Sequence, residues 1–129
     1  MRSTPDVAAL GDNYTGFSIF VNGKLCENVG GTSLASPIIA GTIAMLISQY
    51  MINQNITKRV NININDLHNV IYHDAADFID VVNDSTYQQK SGWNNIYSST
   101  TQKGYDLVCG MGEIIFDKII KNLNFVVSE

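Results

Sequence analysis

Basic residues, cysteines and long apolar runs are all scarce in this chain of 129 residues. Eight Lys and Arg stand against twelve Asp and Glu, a net charge of −4. No basic patch is therefore available to displace counterions from a phosphate backbone, which excludes nucleic acid as a partner. Two cysteines, Cys26 and Cys109, are too few for a zinc site or a disulfide framework. Uninterrupted apolar runs stop short of the roughly 20 residues that cross a bilayer, so no membrane span is expected. Met1-Arg2-Ser3-Thr4 lacks the apolar core of a signal peptide.

What is present suits a folded domain. An apolar fraction of 45% with 16% charged residues is that of a chain with a buried core rather than a disordered one. The length fits one domain of ordinary size. Three glycosylation sequons, Asn13-Tyr14-Thr15, Asn55-Ile56-Thr57 and Asn83-Asp84-Ser85, are compatible with secretion. In so asparagine-rich a chain they do not establish it.

The chemistry concentrates at Gly30-Gly31-Thr32-Ser33-Leu34-Ala35-Ser36-Pro37. Two glycines permit a tight turn and close approach of backbone, and the apolar run Ile38 to Ile47 that follows reads as a helix extending to about Met51. Two starts are open: Ser36 caps it with Pro37 at the first helical position, or Ser33 caps it with Pro37 one turn in. Either places Ser33 at or just before a helix N-terminus. There, unpaired N–H groups and the helix dipole favour the negative charge that develops in acyl transfer. An ordinary cap is the competing reading of such a serine. The α/β-hydrolase nucleophile elbow is excluded, because Ala35 stands where that turn needs glycine.

Gly31-Thr32-Ser33-x-Ala35-x-Pro37, followed by Ala40-Gly41, resembles the nucleophile motif of the subtilase superfamily. The additional Gly30, with Pro5-Asp6-Val7 and Thr15-Gly16-Phe17 upstream, more closely resembles the sedolisins, the serine-carboxyl peptidases. The resemblance runs from Pro5 to about Leu123 and implies Ser33 as the catalytic nucleophile. It also implies an α/β fold: the C-terminal part of a subtilisin-like parallel-sheet domain with a buried central helix. Helix coloration by Ile38, Ile39, Ile43, Met45, Leu46 and Ile47 agrees, since a helix apolar all round is buried all round.

The remaining chain supports that frame. Phe17 to Val21 alternates as a strand, Asn22-Gly23 is a two-residue hairpin turn, and Lys24 to Val29 returns as its partner. Asn53 to Asn65 reads as a polar loop, and Asn65 as the cap of a helix from Asp66 to about Tyr72. His68 and His73 on or near that helix lack ligand partners at metal spacing and read as surface histidines. Glu113 to Leu123 reads as an amphipathic helix.

Asp77-Phe78-Ile79-Asp80-Val81 and Gln102-Lys103-Gly104-Tyr105-Asp106 suit a hard-cation site only weakly by spacing, loop aspartates being the alternative. The resemblance implies calcium there, held by the carboxylates of Asp80 and Asp106 and the carbonyls of Val81, Gln102 and Gly104. Gln102 replaces a usual glycine, Asn83-Asp84 stands where the family has another, and Glu113 replaces a common proline. Cys26 precedes the serine loop and Cys109 follows the cation loop, so a disulfide and two free thiols are both open.

The catalytic glutamate, its supporting aspartate and the oxyanion aspartate of sedolisins come from upstream segments that are not matched here. Residues 1–129 are thus expected to be one incomplete portion of a peptidase domain, inactive alone and completed by its N-terminal part. Its substrate would be a peptide or protein, its setting secreted or an acidic, lysosome-like compartment. A non-catalytic domain that keeps the fold, or a true subtilisin, are the alternatives.

Overall fold

A computed structural model of the chain describes residues 5–59, 61–82 and 101–125. They form two compact units, Ala9–Lys58 and Met1–Ala8 with Arg59–Glu129.

In the first unit β1 (Phe17–Val21) and β2 (Lys24–Val29) pair antiparallel. Asn22 and Gly23, both at positive φ (51° and 75°), make the turn. That sign at both central residues is the type I′ geometry whose twist matches the strands. Pairing runs Val21↔Lys24, Phe20↔Leu25 and Ile19↔Cys26, then slips to Phe17↔Val29. The extra residue lies in β2, where Asn28 takes φ 56°, as in a β-bulge. The hairpin thus follows the sequence expectation.

Helix α1 (Thr32–Asn53) follows, beginning earlier than either expected start. Gly31, at φ 92°, is its N-cap, and no side chain caps it. Ser33 is therefore in the first turn and Ser36 in the second, so neither serine is the cap. Pro37 sits inside the helix; its ring nitrogen has no hydrogen for the Ser33 carbonyl four residues back. The far end closes as a Schellman motif. Asn55 at φ 54° donates its N–H to the Ile52 carbonyl (3.1 Å), and Ile56 N–H reaches the Met51 carbonyl (2.8 Å).

The expected burial of this helix is not met within the described residues. Leu46 and Tyr50 are buried, whereas Met45 is 57% and Ile52 64% exposed. The physical reason is cover: apolar side chains lie all round α1, and one two-stranded ribbon cannot enclose them. By length and composition alone α1 also passes the test for a bilayer-crossing helix, as the core helix of a soluble protein does. It has 22 residues and no Asp, Glu, Lys or Arg. Thr, Ser and Gln interrupt its apolar run but carry no charge, so a count of uninterrupted apolar residues does not register it.

In the second unit α2 (Ile64–Ile71) starts two residues before the expected boundary, because Asn63 rather than Asn65 caps it. Asn63 Oδ1 accepts Asp66 N–H (3.0 Å) while Asp66 Oδ2 accepts Asn63 N–H (3.4 Å), a reciprocal capping box. A 3-10 turn, Ala75–Asp77, leads into β3 (Phe78–Ile79), which pairs antiparallel with β4 (Glu113–Ile114). The expected parallel sheet is represented among the described residues by one isolated parallel bridge, Ala8↔Glu113. Each described sheet has two antiparallel strands.

The expected helix from Glu113 is corrected as well. Its first residues are β4, then one turn of helix, α3 (Phe116–Ile119), passes into a 3-10 turn, Ile120–Asn122. Pairing with β3 takes the residues that the helical pattern had claimed. Val70, Ile71, Phe78, Ile119 and Phe125 form this unit's apolar core. Asp77, 2% exposed, is satisfied there by Asn122 Nδ2 at 2.8 Å.

Candidate active site and cation loop

Ser33 occupies the second position of α1 and is exposed. Leu34 and Ala35 N–H groups both turn back to the Gly31 carbonyl, at 3.0 and 3.2 Å. The N–H groups of Thr32 and Ser33 precede any carbonyl that the helix offers as acceptor. Two donors and the positive end of the dipole thus lie beside an accessible hydroxyl. Gly31 needs its positive φ to start the helix at this angle. Gly30 needs the absence of a side chain, since a Cβ there would overlap Asn13.

Among the described residues no hydrogen bond from the Ser33 hydroxyl to a base is present in this unit. Residues 9–58 contain no histidine, and their acids are Asp12 and Glu27. Asp12 Oδ2 accepts both Thr15 N–H and Thr15 Oγ1–H at 3.1 Å, and belongs to a local turn.

In the second unit the five expected cation ligands fall on one loop system. Asp80 Oδ2 accepts Gly104 N–H at 2.7 Å, linking the two segments that the sequence pairs. Asp106 is 2% exposed. Its Oδ1 accepts Val108 N–H (2.8 Å) and Cys109 N–H (2.7 Å), its Oδ2 Gln102 N–H (3.0 Å). Burial pushes the Asp106 carboxyl up, but the N–H groups of Cys109, Gln102 and Val108 outweigh it, and the net shift is downward. Asp106 and Gly110 also exchange backbone hydrogen bonds at 3.2 and 3.1 Å. A Cβ on Gly110 would overlap the Asp6 carbonyl, so the loop packs directly on the Pro5–Ala8 segment.

Of the two expected carboxylates, Asp80 leaves an oxygen for a hard cation, whereas Asp106 is taken up by three backbone N–H groups. Asp80 Oδ2 accepts Gly104 N–H and Oδ1 lies outside that hydrogen bond, and Asp80, Lys103 and Gly104 line a cavity of about 300 Å³ with Ala75, Ala76 and Met111. Val81 and Gln102 are exposed and offer carbonyls on the same two segments. Among the described residues no three His, Cys, Asp or Glu side chains converge as a metal cluster.

Both cysteines are free thiols, each half-buried. Burial, then the charges of Asp106 and Asp80, pushes the Cys109 thiol up. The surface reading of His68 is corrected. Its Nε2 lies 3.6 Å from Asp6 Oδ2, Tyr72 Oη donates to Asp6 Oδ1 at 2.6 Å, and the Tyr72 and Tyr105 rings meet tilted, 5.9 Å between centroids. The signal was the i, i+4 spacing of His68 and Tyr72, which puts both on one helix face; nothing in the sequence placed Asp6 opposite them. His73 is exposed, as expected.

Comparison with curated proteins and with solved structures finds no match. A family model, the subtilase family of peptidases, matches residues 1–112, a span that holds the serine loop and both aspartates of the cation loop. The chain belongs to the subtilase family, whose members are serine-type peptidases.

Proposed function

We propose that Ser33 is the nucleophile of a peptide-bond hydrolase of the sedolisin type, acting in a complete domain of which residues 1–129 are one portion. The observation that carries this is the placement of Ser33: exposed in the first turn of α1, with Thr32 and Ser33 N–H groups open beside it. In that role Ser33 Oγ attacks the scissile carbonyl, and an N–H of this turn stabilises the oxyanion. The amine leaves with a proton, and water hydrolyses the acyl-enzyme. The carboxylate base and the oxyanion-side acid come from the N-terminal part of the domain. That part also covers the exposed apolar side chains of α1 and supplies the parallel sheet. A glutamate base remains ionised well below pH 6, where an ordinary histidine is protonated, so the enzyme works in an acidic, lysosome-like or extracellular setting.

Calcium, bound by Asp80 and Asp106 carboxylates and by the carbonyls of Val81, Gln102 and Gly104, would tie the two loop segments together as a structural ion.

The test is a pH–rate profile of the full-length, processed protein on a peptide substrate, beside Ser33→Ala. Activity with an acidic optimum, abolished by the substitution, is expected. A neutral optimum favours the true subtilisin; turnover that survives Ser33→Ala refutes the nucleophile; no turnover favours a non-catalytic domain.

A further inference from the structure

Ser33 is set by Gly30-Gly31, and those glycines rest on an earlier segment of the same unit. Gly31 N–H donates to the Gly11 carbonyl at 2.6 Å. A Cβ on Gly30 would overlap the Asn13 amide oxygen and lie 2.8 Å from Asn13 N. One on Gly11 would stand 3.4 Å from the Gly31 carbonyl oxygen and 3.8 Å from Ala35 Cβ. Residues 11–13 are therefore a wall against the turn that carries the serine.

That wall belongs to no strand or helix, so its shape depends on local bonds. Asp12 provides them: Oδ2 accepts the Thr15 N–H and hydroxyl, each at 3.1 Å. Both bonds reach three residues along the chain and close a short loop without regular structure. The Tyr14 N–H, and then the Thr15 hydroxyl and N–H, hold the Asp12 carboxyl below its usual range. Exposed aspartates of this kind ordinarily shape only their own loop. Here the loop abuts Gly30 and Gly31.

We propose that Asp12 is a positioning residue for Ser33: by closing the Gly11–Thr15 turn it fixes the wall on which Gly30-Gly31 rests. The inference rests on Ser33 as nucleophile and goes beyond it, assigning a role to a residue that takes no part in proton transfer. Misplacing a nucleophile by about 1 Å costs on the order of a hundredfold in rate. A partly slackened wall is expected to cost roughly tenfold.

Two measurements test it with Asp12→Ala and Asp12→Asn, the second of which keeps an acceptor oxygen. In the full-length protein, amide exchange at Gly31 is expected to quicken about tenfold in Asp12→Ala, by loss of local protection. It should stay near wild type in Asp12→Asn, and exchange at Ile56, beyond the far end of α1, should not change in either. In the full-length peptidase, kcat per titrated active site should fall about tenfold in Asp12→Ala with KM held, and recover in Asp12→Asn. Unchanged Gly31 exchange in Asp12→Ala overturns the proposal, as does an unchanged kcat per titrated site. Failure of Asp12→Asn to recover also overturns it, by pointing to charge rather than to the turn. If the wild-type enzyme shows no Ser33-dependent turnover, the nucleophile reading and the positioning role fall together; the exchange data then show separately whether Asp12 holds the wall.

Discussion

Replacing Asp106 by alanine tests how the cation loop is held. The carboxylate is 2% exposed and accepts three backbone N–H groups, from Val108, Cys109 and Gln102 at 2.8, 2.7 and 3.0 Å. A hydrogen bond to a charged group contributes about 1.5–3 kcal/mol, but water can reach the freed groups of exposed Gln102 and Val108, so we expect a total loss of roughly 3–5 kcal/mol. For a chain of this size, that lowers the melting temperature by roughly 10–20 °C. Asp106→Asn keeps one acceptor oxygen and should lose about half as much. Thermal unfolding followed by circular dichroism in excess chelator isolates this effect from any bound cation. A loss below about 1 kcal/mol in Asp106→Ala would refute the reasoning, because no buried carboxylate serving three donors is that dispensable.

The same carboxylate sets a pH dependence. Its folded pKa lies below the ordinary value of 3.8, so its stabilisation is present above the unfolded value and is lost as pH falls through the lowered folded one. Unfolding free energy should therefore hold steady from pH 6 to pH 4.5 on this account and drop below the ordinary aspartate range, with Asp106→Asn removing that drop. If calcium binds, a concentration 100 times its dissociation constant should add about 2.7 kcal/mol to stability. Asp80→Ala should abolish the gain, while equal melting with and without chelator would leave Asp80 as a loop residue. The Cys109 thiol, pushed up by burial and by Asp106 and Asp80, should alkylate more slowly at pH 8 than a solvent-exposed thiol, and faster in Asp80→Asn.

The residues differ in how far the sequence alone disclosed them. The hairpin was legible because Asn22-Gly23 prescribes its own turn geometry, and both residues take the required positive φ. The bulge at Asn28 was not, since nothing local distinguishes that asparagine from its neighbours. The serine loop was found from its glycines, but its helix start was misplaced. Ser and Pro signal a cap strongly, whereas here Gly31 caps through backbone alone and Pro37 is tolerated within the helix. Of the two paired segments, Gly104 N–H reaches Asp80, while the N–H donors to Asp106 depend on loop geometry that spacing does not encode. Strand β4 was hidden because a two-residue pairing leaves no period to detect. Likewise, the contact of Asp6 with His68 and Tyr72 joins distant parts of the chain.

The central claim is that Ser33 carries the acyl group. The direct measurement mixes the full-length, processed enzyme with a peptide ester, quenches in acid within a turnover, and maps the acylated residue by mass spectrometry of proteolytic fragments. The acyl mass is expected on Ser33, and none in Ser33→Ala. An acyl group on another residue, or turnover with no acylated intermediate on Ser33, would contradict it.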